Sequence, residues 1–296
     1  MDDTIITIST HNVNGFTRSK DFLRSQCSDK PNSIRALQEH WLRPPYKKQC
    51  GVNQLRCLLQ DFDGFGTSAM EKTIGTKILN GRPYGGTGFL FNKKYANFVK
   101  PLVNFKHDSV TALEIRSNSG NIVLINAYMP YYNTRDLPDS VASYRETIGH
   151  IETIMHSHPG YNFIIAADFN CNITDPNHVY SKIWADVMTN YNLFSCYDVY
   201  DGFDNSLFSR CDLKTGSFSL LDGFLISKDL RLNVSNFRIC HDGSNVSDHS
   251  PVEFELTIPM STTDKATPSI PRYVNWSKLN EDHKSAYKLE MSRRLN

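Results

Sequence analysis

Eight short apolar runs are spaced along the chain, each of strand length. They are "TIITIST" (4–10), "SIRALQEHW" (33–41), "GTGFLFN" (86–92), "VTALEIRS" (110–117), "NIVLINAYMP" (121–130), "NFIIAADFN" (162–170), "SLLDGFLIS" (219–227) and "PVEFELTI" (251–258). Each is rich in Ile, Val, Leu or Phe and bounded by Gly, Asn, Asp or Pro, the pattern of buried or half-buried strands. Helical patterns are fewer. In "SVASYRETIGHIETIMHSH" (140–158), Val141, Ile148, Ile151 and Met155 fall near one face, "VNQLRCLLQ" (52–60) spaces Val52, Leu55 and Leu59 similarly, and 182–191 is a third candidate. Many strands with few helices predict two packed sheets with helices outside. After residue 258 the pattern stops. The stretch 259–274 is rich in Ser, Thr and Pro and reads as a linker, and 275–296, opened by Asn275 or Ser277 as N-cap, reads as the start of a helical segment. The expected organisation is therefore one α/β domain over 1–258, a linker, and a helical continuation.

Composition narrows the class. At 296 residues and 40% hydrophobic content the chain can bury a substantial core. Its first residues are acidic where a signal peptide is basic, and no run approaches the roughly 18 apolar residues of a membrane span. A soluble intracellular protein with no membrane partner is expected. Seven scattered cysteines, none in a Cys-x-x-Cys pair, read as reduced thiols and not as a zinc site. Net charge is +1, and the tail from Pro259 carries 7 of the 32 basic and 4 of the 31 acidic residues, which leaves the body slightly negative. That balance weighs against a DNA partner unless positive charge is local, as in a groove built from Arg43, Lys47 and Lys48. A serine-hydrolase elbow is absent, and the glycines of "GRPYGGTGFL" lack the Lys-Ser/Thr of a phosphate loop.

The chemistry sits at strand ends. "THNVNG" supplies Asn12 and Asn14 after the first run, "LQEHW" Glu39, "NAYMP" Tyr128, "AADFN" Asp168 and Asn170, and "SDH" Asp248 and His249. Taken singly, most have ordinary explanations as turn formers, surface acids or core tyrosine. Asp222 is different: flanked by Leu220, Leu221, Phe224 and Leu225, its carboxylate needs a buried partner. Together, oxygen-rich side chains suit a hard cation such as Mg²⁺ or Mn²⁺, and a histidine beside carboxylates suits proton transfer or phosphate contact. The set fits metal-assisted phosphodiester hydrolysis.

In order, "HNVNG", "LQEHW", "NAYMP", "ADFN", "SLLDGFL" and "SDHSP" resemble the motifs of the endonuclease/exonuclease/phosphatase superfamily. The likeness runs from about Thr4 to Ile258 and is strongest to the endonuclease domain of LINE-type (non-LTR) retrotransposon polyproteins, relatives of exonuclease III-like abasic endonucleases. It implies a four-layered α/β sandwich, two mixed β-sheets flanked by helices (DNase I-like). It also implies a Mg²⁺-dependent nick in one strand of double-stranded DNA, with the 3′-hydroxyl priming reverse transcription. By resemblance Glu39 ligates the metal with Asn12 and Asp248 close to it, and Asp168 orients or deprotonates the water. Asn170 and His249 contact the scissile phosphate, Tyr128 lies near the developing charge, and Asp222 fixes His249. Asn14, Arg43 and Lys214 are expected to bind substrate, and so is a serine upstream of Asp222, either Ser206 or Ser209, with Ser206 preferred. "CDLKTGSFS" (211–219) reads as a hairpin, which in LINE-type relatives enters the DNA groove. The resemblance further implies nuclear action after import from the cytoplasm, and element RNA as a partner through a downstream reverse transcriptase. Abasic-site repair endonuclease, and a phosphoesterase of inositol phosphates or phospholipids, are the competing readings.

Overall fold

The computed structural model of the chain describes residues 3–45, 50–70, 84–105, 107–199 and 206–259. Two six-stranded mixed sheets form its centre. The first contains β1 (Asp3–Asn12), β2 (Ser33–Gln38), β3 (Phe62–Thr67), β4 (Thr87–Asn92), β13 (Val234–Ile239) and β14 (Val252–Pro259), in the order β13-β14-β1-β2-β4-β3. The second contains β5 (Val99–Pro101), β6 (Val110–Ile115), β7 (Ile122–Tyr128), β8 (Asn162–Asp168), β9 (Leu193–Ser195) and β12 (Asp222–Ser227), in the order β5-β6-β7-β8-β12-β9. Strands β10 (Arg210–Asp212) and β11 (Ser217–Ser219) make a separate hairpin.

Each sheet has one parallel pair at its centre, β1 with β2 and β7 with β8, and antiparallel neighbours elsewhere. A parallel pair needs a crossover, and here each crossover carries a helix. Helix α1 (Phe16–Asp29) joins β1 to β2, and α2 (Leu137–His156) lies between β7 and β8. A third helix, α3 (Val179–Asn190), packs beside α2.

The alternation of side chains sorts residues into layers. Between the sheets lie Ile6 and Ile8, Ile34 and Ala36, Phe89 and Phe91, Leu113 and Ile115, Ile122 and Leu124, Ile164 and Ala166, Phe224 and Ile226, and Phe254. Their neighbours face outward: Leu37 and Leu90 meet Phe16 and Leu23 of α1, while Val123, Ile125, Phe163 and Ile165 meet Ile148, Ile151 and Trp184 of α2 and α3. Each such burial stabilises by roughly 1.5–3 kcal/mol. The expected four-layered sandwich is the observed fold.

Three local differences have physical causes. Helix α1 was not expected, because Thr17, Arg18, Ser19 and Lys20 dilute its apolar stripe, yet the crossover requires it. The run 52–60 forms a tighter 3₁₀ turn over Gly51–Cys57 that buries Leu55, too short for an α-helix. Strand β14 runs to Pro259, one residue into the expected linker, because Pro259 pairs with Asp3. The remainder of that linker and the helical segment lie outside the described residues, as do Lys47 and Lys48. No helix among the described residues is long and apolar enough to cross a membrane, and all seven cysteines are free.

Candidate active site

Following the inward register toward one edge of the sandwich, apolar residues give way to polar ones on strand after strand. On β1, Ile6 and Ile8 are followed by Thr10 and Asn12; on β2, Ile34 and Ala36 by Gln38; on β7, Leu124 by Asn126 and Tyr128; on β8, Ala166 by Asp168; β12 opens with Asp222. Pairing brings the ends together. Asn12 is opposite Gln38, which places Glu39 one residue further on, and Asp168 is opposite both Tyr128 and Asp222. The edge is also where backbone strain collects. Of the six non-glycine residues with positive φ among the described residues, four lie here: Asn14 (45°), Glu39 (51°), Trp41 (57°) and Asn170 (50°). Each costs roughly 1–3 kcal/mol and persists because neighbours enforce it. Gly15, at φ 103°, has no alternative, since a Cβ there would lie 2.5 Å from Trp41.

One hydrogen-bonded system joins most of the expected residues. Asn12 Nδ2 donates to Asp168 Oδ2 at 2.9 Å, and the Asn170 amide donates to Asp168 Oδ1 at 3.0 Å. Asn12 Oδ1 accepts from the Asn14 amide at 3.0 Å, and Asn14 Nδ2 donates to Asp248 Oδ1 at 2.8 Å. The other oxygen of Asp248 accepts from Arg210 Nε at 3.0 Å. Asp222 Oδ2 receives His249 Nδ1 at 2.8 Å and Ser209 Oγ at 2.7 Å, and His249 Nδ1 stands 4.0 Å from Asp168 Oδ2. Glu39 forms a second group: Tyr128 donates its hydroxyl to Oε1, and Trp41 Nε1 donates to Oε2 at 2.6 Å. Asn170 Nδ2 is turned to the Met129 carbonyl at 2.7 Å.

The adjacent Asp248 and His249 thus diverge, one toward Asn14 and Arg210, the other toward Asp222. Burial alone would lower the His249 pKa, but Asp222 and then Asp168 outweigh it and raise it to about 9. Burial, then the Asp222 charge, pushes Asp168 above the carboxylate range. Burial also opposes the charge of Asp248, yet His249, Asn14 and Arg210 hold its pKa below the usual value. Tyr128 is raised by burial and by Glu39. His11 is pushed down to about 3 by burial and is neutral.

Two sets of donors could hold a cation. Asp168, Asp222 and His249 offer ligand atoms within 4.8 Å of one another, and Asp222 Oδ1 is buried without a hydrogen-bond partner among the described residues. That group already carries the imidazole hydrogen bond. Glu39 receives only neutral donors, and no basic side chain among the described residues pairs with it. With Asn12 and Asp248 it remains the set that resemblance singled out, and its hard oxygens suit Mg²⁺ or Mn²⁺.

Of the two upstream serines, Ser209 meets Asp222: it is fully buried, donates to the carboxylate, and accepts from the Leu221 and Asp222 amides. This register puts Ser209, and not the preferred Ser206, against Asp222. Ser206 is exposed and lines a hollow of about 700 Å³ beside Asn170, together with Phe208, Phe218 and Leu221. Arg43 and Lys214 are exposed, Lys214 in the turn of the expected hairpin. Sequence reading passed over Gln38, Asn126, Arg210 and His11. Asn126 ties the sheets together, donating to the Leu37 and Gly88 carbonyls at 3.0 and 2.8 Å and accepting from Gln38 at 2.7 Å. The signal for it was present in "VLINAY", since Asn126 continues the register of Ile122 and Leu124.

Comparison with solved structures places the fold. The endonuclease domain of TRAS1, a telomere-specific non-LTR retrotransposon, superposes with a TM-score of 0.59 at 15% identity, covering 86% of this chain and 98% of that one. The AP endonuclease LMAP from Leishmania major gives 0.66 at 16% identity over 86% and 88%. An endonuclease/exonuclease/phosphatase family protein from Leptotrichia buccalis gives 0.56 at 16% identity over 85% and 99%. No family model matches the sequence, and no curated protein matches it. The shared property is the fold of the endonuclease/exonuclease/phosphatase proteins.

Proposed function

We propose that this chain is a Mg²⁺-dependent DNA endonuclease that nicks one strand of a duplex to prime target-primed reverse transcription. The observation that carries the reading is the convergence, at one edge, of the Asp168-Asn12 and Asp222-His249 pairs with the Glu39-Tyr128 pair. Asp168, fixed through both oxygens by Asn12 and Asn170, orients a water and accepts its proton. The water oxygen bonds to phosphorus while the bond from phosphorus to the 3′-oxygen breaks, and the 3′-oxygen takes a proton from solvent as Asp168 returns its own, leaving a 3′-hydroxyl and a 5′-phosphate. Asp222 occupies His249 Nδ1, so Nε2 is the nitrogen left for a phosphate oxygen, and the cationic ring balances charge there. Tyr128, held by Glu39, stands beside the same position. Glu39, with Asn12 and Asp248, would hold the Mg²⁺, which supplies Lewis-acid polarisation of the phosphate. Likeness to the TRAS1 domain supports the retrotransposon setting. In that setting the protein would act in the nucleus after import from the cytoplasm, with element RNA held by a reverse transcriptase downstream.

A second reading, abasic-site endonuclease, is favoured by the apolar walls that Phe208, Phe218 and Leu221 give the hollow beside Asn170 and by the likeness to the Leishmania enzyme. Supercoiled plasmid with Mg²⁺, with EDTA, and with Asp168→Ala, with sequencing of nick ends, tests the first reading. Metal-dependent nicks ending in 3′-hydroxyls and lost in the variant are expected. Cleavage of a furan-containing duplex much faster than an intact one would move the assignment to abasic DNA, and no cleavage of either would refute both.

A further inference from the structure

The His249 main chain is held by side chains and not by a sheet. Among the described residues its one strand-like partner is an isolated antiparallel bridge to Arg210, and the hydrogen bonds of that bridge belong to its neighbours: the Cys211 amide donates to the Asp248 carbonyl at 2.8 Å, and the Ser250 amide to the Ser209 carbonyl at 2.6 Å. The N–H and C=O of His249 itself therefore face away from the hairpin. The N–H donates to Ser247 Oγ at 3.1 Å, and Ser247 in turn donates to the Asn12 carbonyl at 2.7 Å. The C=O accepts from Asn245 Nδ2 at 2.7 Å and from His11 Nε2 at 3.1 Å.

His11 is the unexpected member. It precedes Asn12 on β1, only 2% exposed, with its ring edge-on to Phe22 of α1 at 5.6 Å. Nothing in that setting calls for an imidazole. Leu or Phe would bury the same surface without a polar atom, whereas the neutral ring donates from Nε2 and leaves Nδ1 buried with no hydrogen-bond partner among the described residues. A buried orphan acceptor is unfavourable, and what the ring gives in exchange is its one N–H, spent on the His249 carbonyl.

We propose that His11 is a positioning residue: by holding the His249 carbonyl it fixes the peptide from which the imidazole projects, and so keeps Nδ1 on Asp222 and Nε2 toward the phosphate. The catalytic consequence rests on the endonuclease reading, while the structural part stands without it. With the His11 donor removed, the 249–250 peptide keeps Asn245 on its carbonyl and the Ser209 carbonyl on its N–H but loses its third anchor, so its orientation loosens, and misplacement of about 1 Å at a reacting group is felt in turnover.

The test compares His11→Leu, which removes the donor, with His11→Gln, whose Nε2 amide can take its place. The first readout is the low-field Nδ1–H resonance of His249 in histidine-labelled protein without DNA or metal, assigned by its loss in His249→Gln. The second is nicking of plasmid with Mg²⁺. His11→Leu should shift or broaden the resonance and lower kcat by about tenfold with KM changed less than twofold, and His11→Gln should restore both. An unchanged resonance and unchanged kcat in a cooperatively melting His11→Leu protein overturn the proposal. So does a His11→Gln protein as impaired as His11→Leu with the wild-type resonance intact. If His11→Leu does not fold, His11→Phe, which removes the donor and keeps a ring against Phe22, takes its place: a shifted or broadened resonance supports the proposal and an unmoved one overturns it. Should the wild-type protein nick no DNA, the endonuclease reading falls and the resonance alone decides on His11.

Discussion

At the scale of single residues, each acid at the edge is distinguished by what partners it. Asp222 has Ser209 and His249, Asp248 has Arg210 and Asn14, Asp168 has only neutral amides at hydrogen-bonding distance, and Glu39 has Tyr128 and Trp41. Replacing Glu39 by Ala should abolish Mg²⁺-dependent nicking in a protein that still melts cooperatively, and retained activity would remove it from the metal site. His249→Ala should slow turnover by about 10²- to 10⁴-fold, and a loss under tenfold contradicts its role. The two serines separate cleanly. Ser209→Ala leaves Asp222 short of a donor and two backbone amides without their acceptor, and should destabilise by about 1–3 kcal/mol, whereas Ser206→Ala, at an exposed position, should destabilise less. From sequence alone these serines were indistinguishable: both lie in "NSLFSR", and only the strand that follows decides which one faces inward.

Among elements, the β10-β11 hairpin has a base and a tip with different attachments. Its base is bound to the site: Ser209 to Asp222, Arg210 to Asp248, and Cys211 to the Asp248 carbonyl. Its tip is open, with Leu213 89% exposed and Gly216 at φ 68° in the turn. Substitution of Lys214-Thr215-Gly216 should therefore change the distribution of nick sites more than the rate, read by sequencing nicks from a plasmid pool. An unchanged distribution with wild-type turnover would place site choice elsewhere. Turn chemistry made the hairpin legible in advance, since Lys-Thr-Gly between polar and aromatic residues is a local signal. Helix α1 was not legible, because its helicity follows from the parallel pairing of β1 and β2 that it has to bridge.

For the whole molecule, the buried titratable groups make stability depend on pH in two opposed senses. His249 keeps its proton to about 9 in the folded chain against an ordinary 6.5. Its contribution is complete below 6.5 and is lost as pH rises through 9, on the order of 3 kcal/mol at most. His11 and His40, held down by burial to about 3 and 4, act the other way: their contribution is complete above 6.5 and is lost as pH falls toward those values. Metal-free protein should accordingly melt highest near neutrality and lower on both sides. His249→Gln should remove the decline between pH 6.5 and about 8.5, below the range where the buried thiols of Cys171, Cys196 and Cys240 add their own, and keep the acid one; a decline in that window that survives the substitution would mean another group carries it.

The eight apolar runs, two of the three helices among the described residues, the sandwich and the residue types of the site were all readable from the chain. They depend on near-neighbour periodicity and on short motifs whose chemistry is carried by side-chain identity. The tertiary structure alone decided which atoms meet. Whether Ser209 or Ser206 touches Asp222, how Asp248 and His249 part, that Arg210 neutralises Asp248, and that Asn126 and His11 are working polar groups in an apolar interior all depend on pairing register and layer. Those are set by contacts between segments far apart along the chain, 238 residues in the case of His11 and His249. A period-two pattern says which residues share a face, and only the packing of the two sheets says what that face looks at.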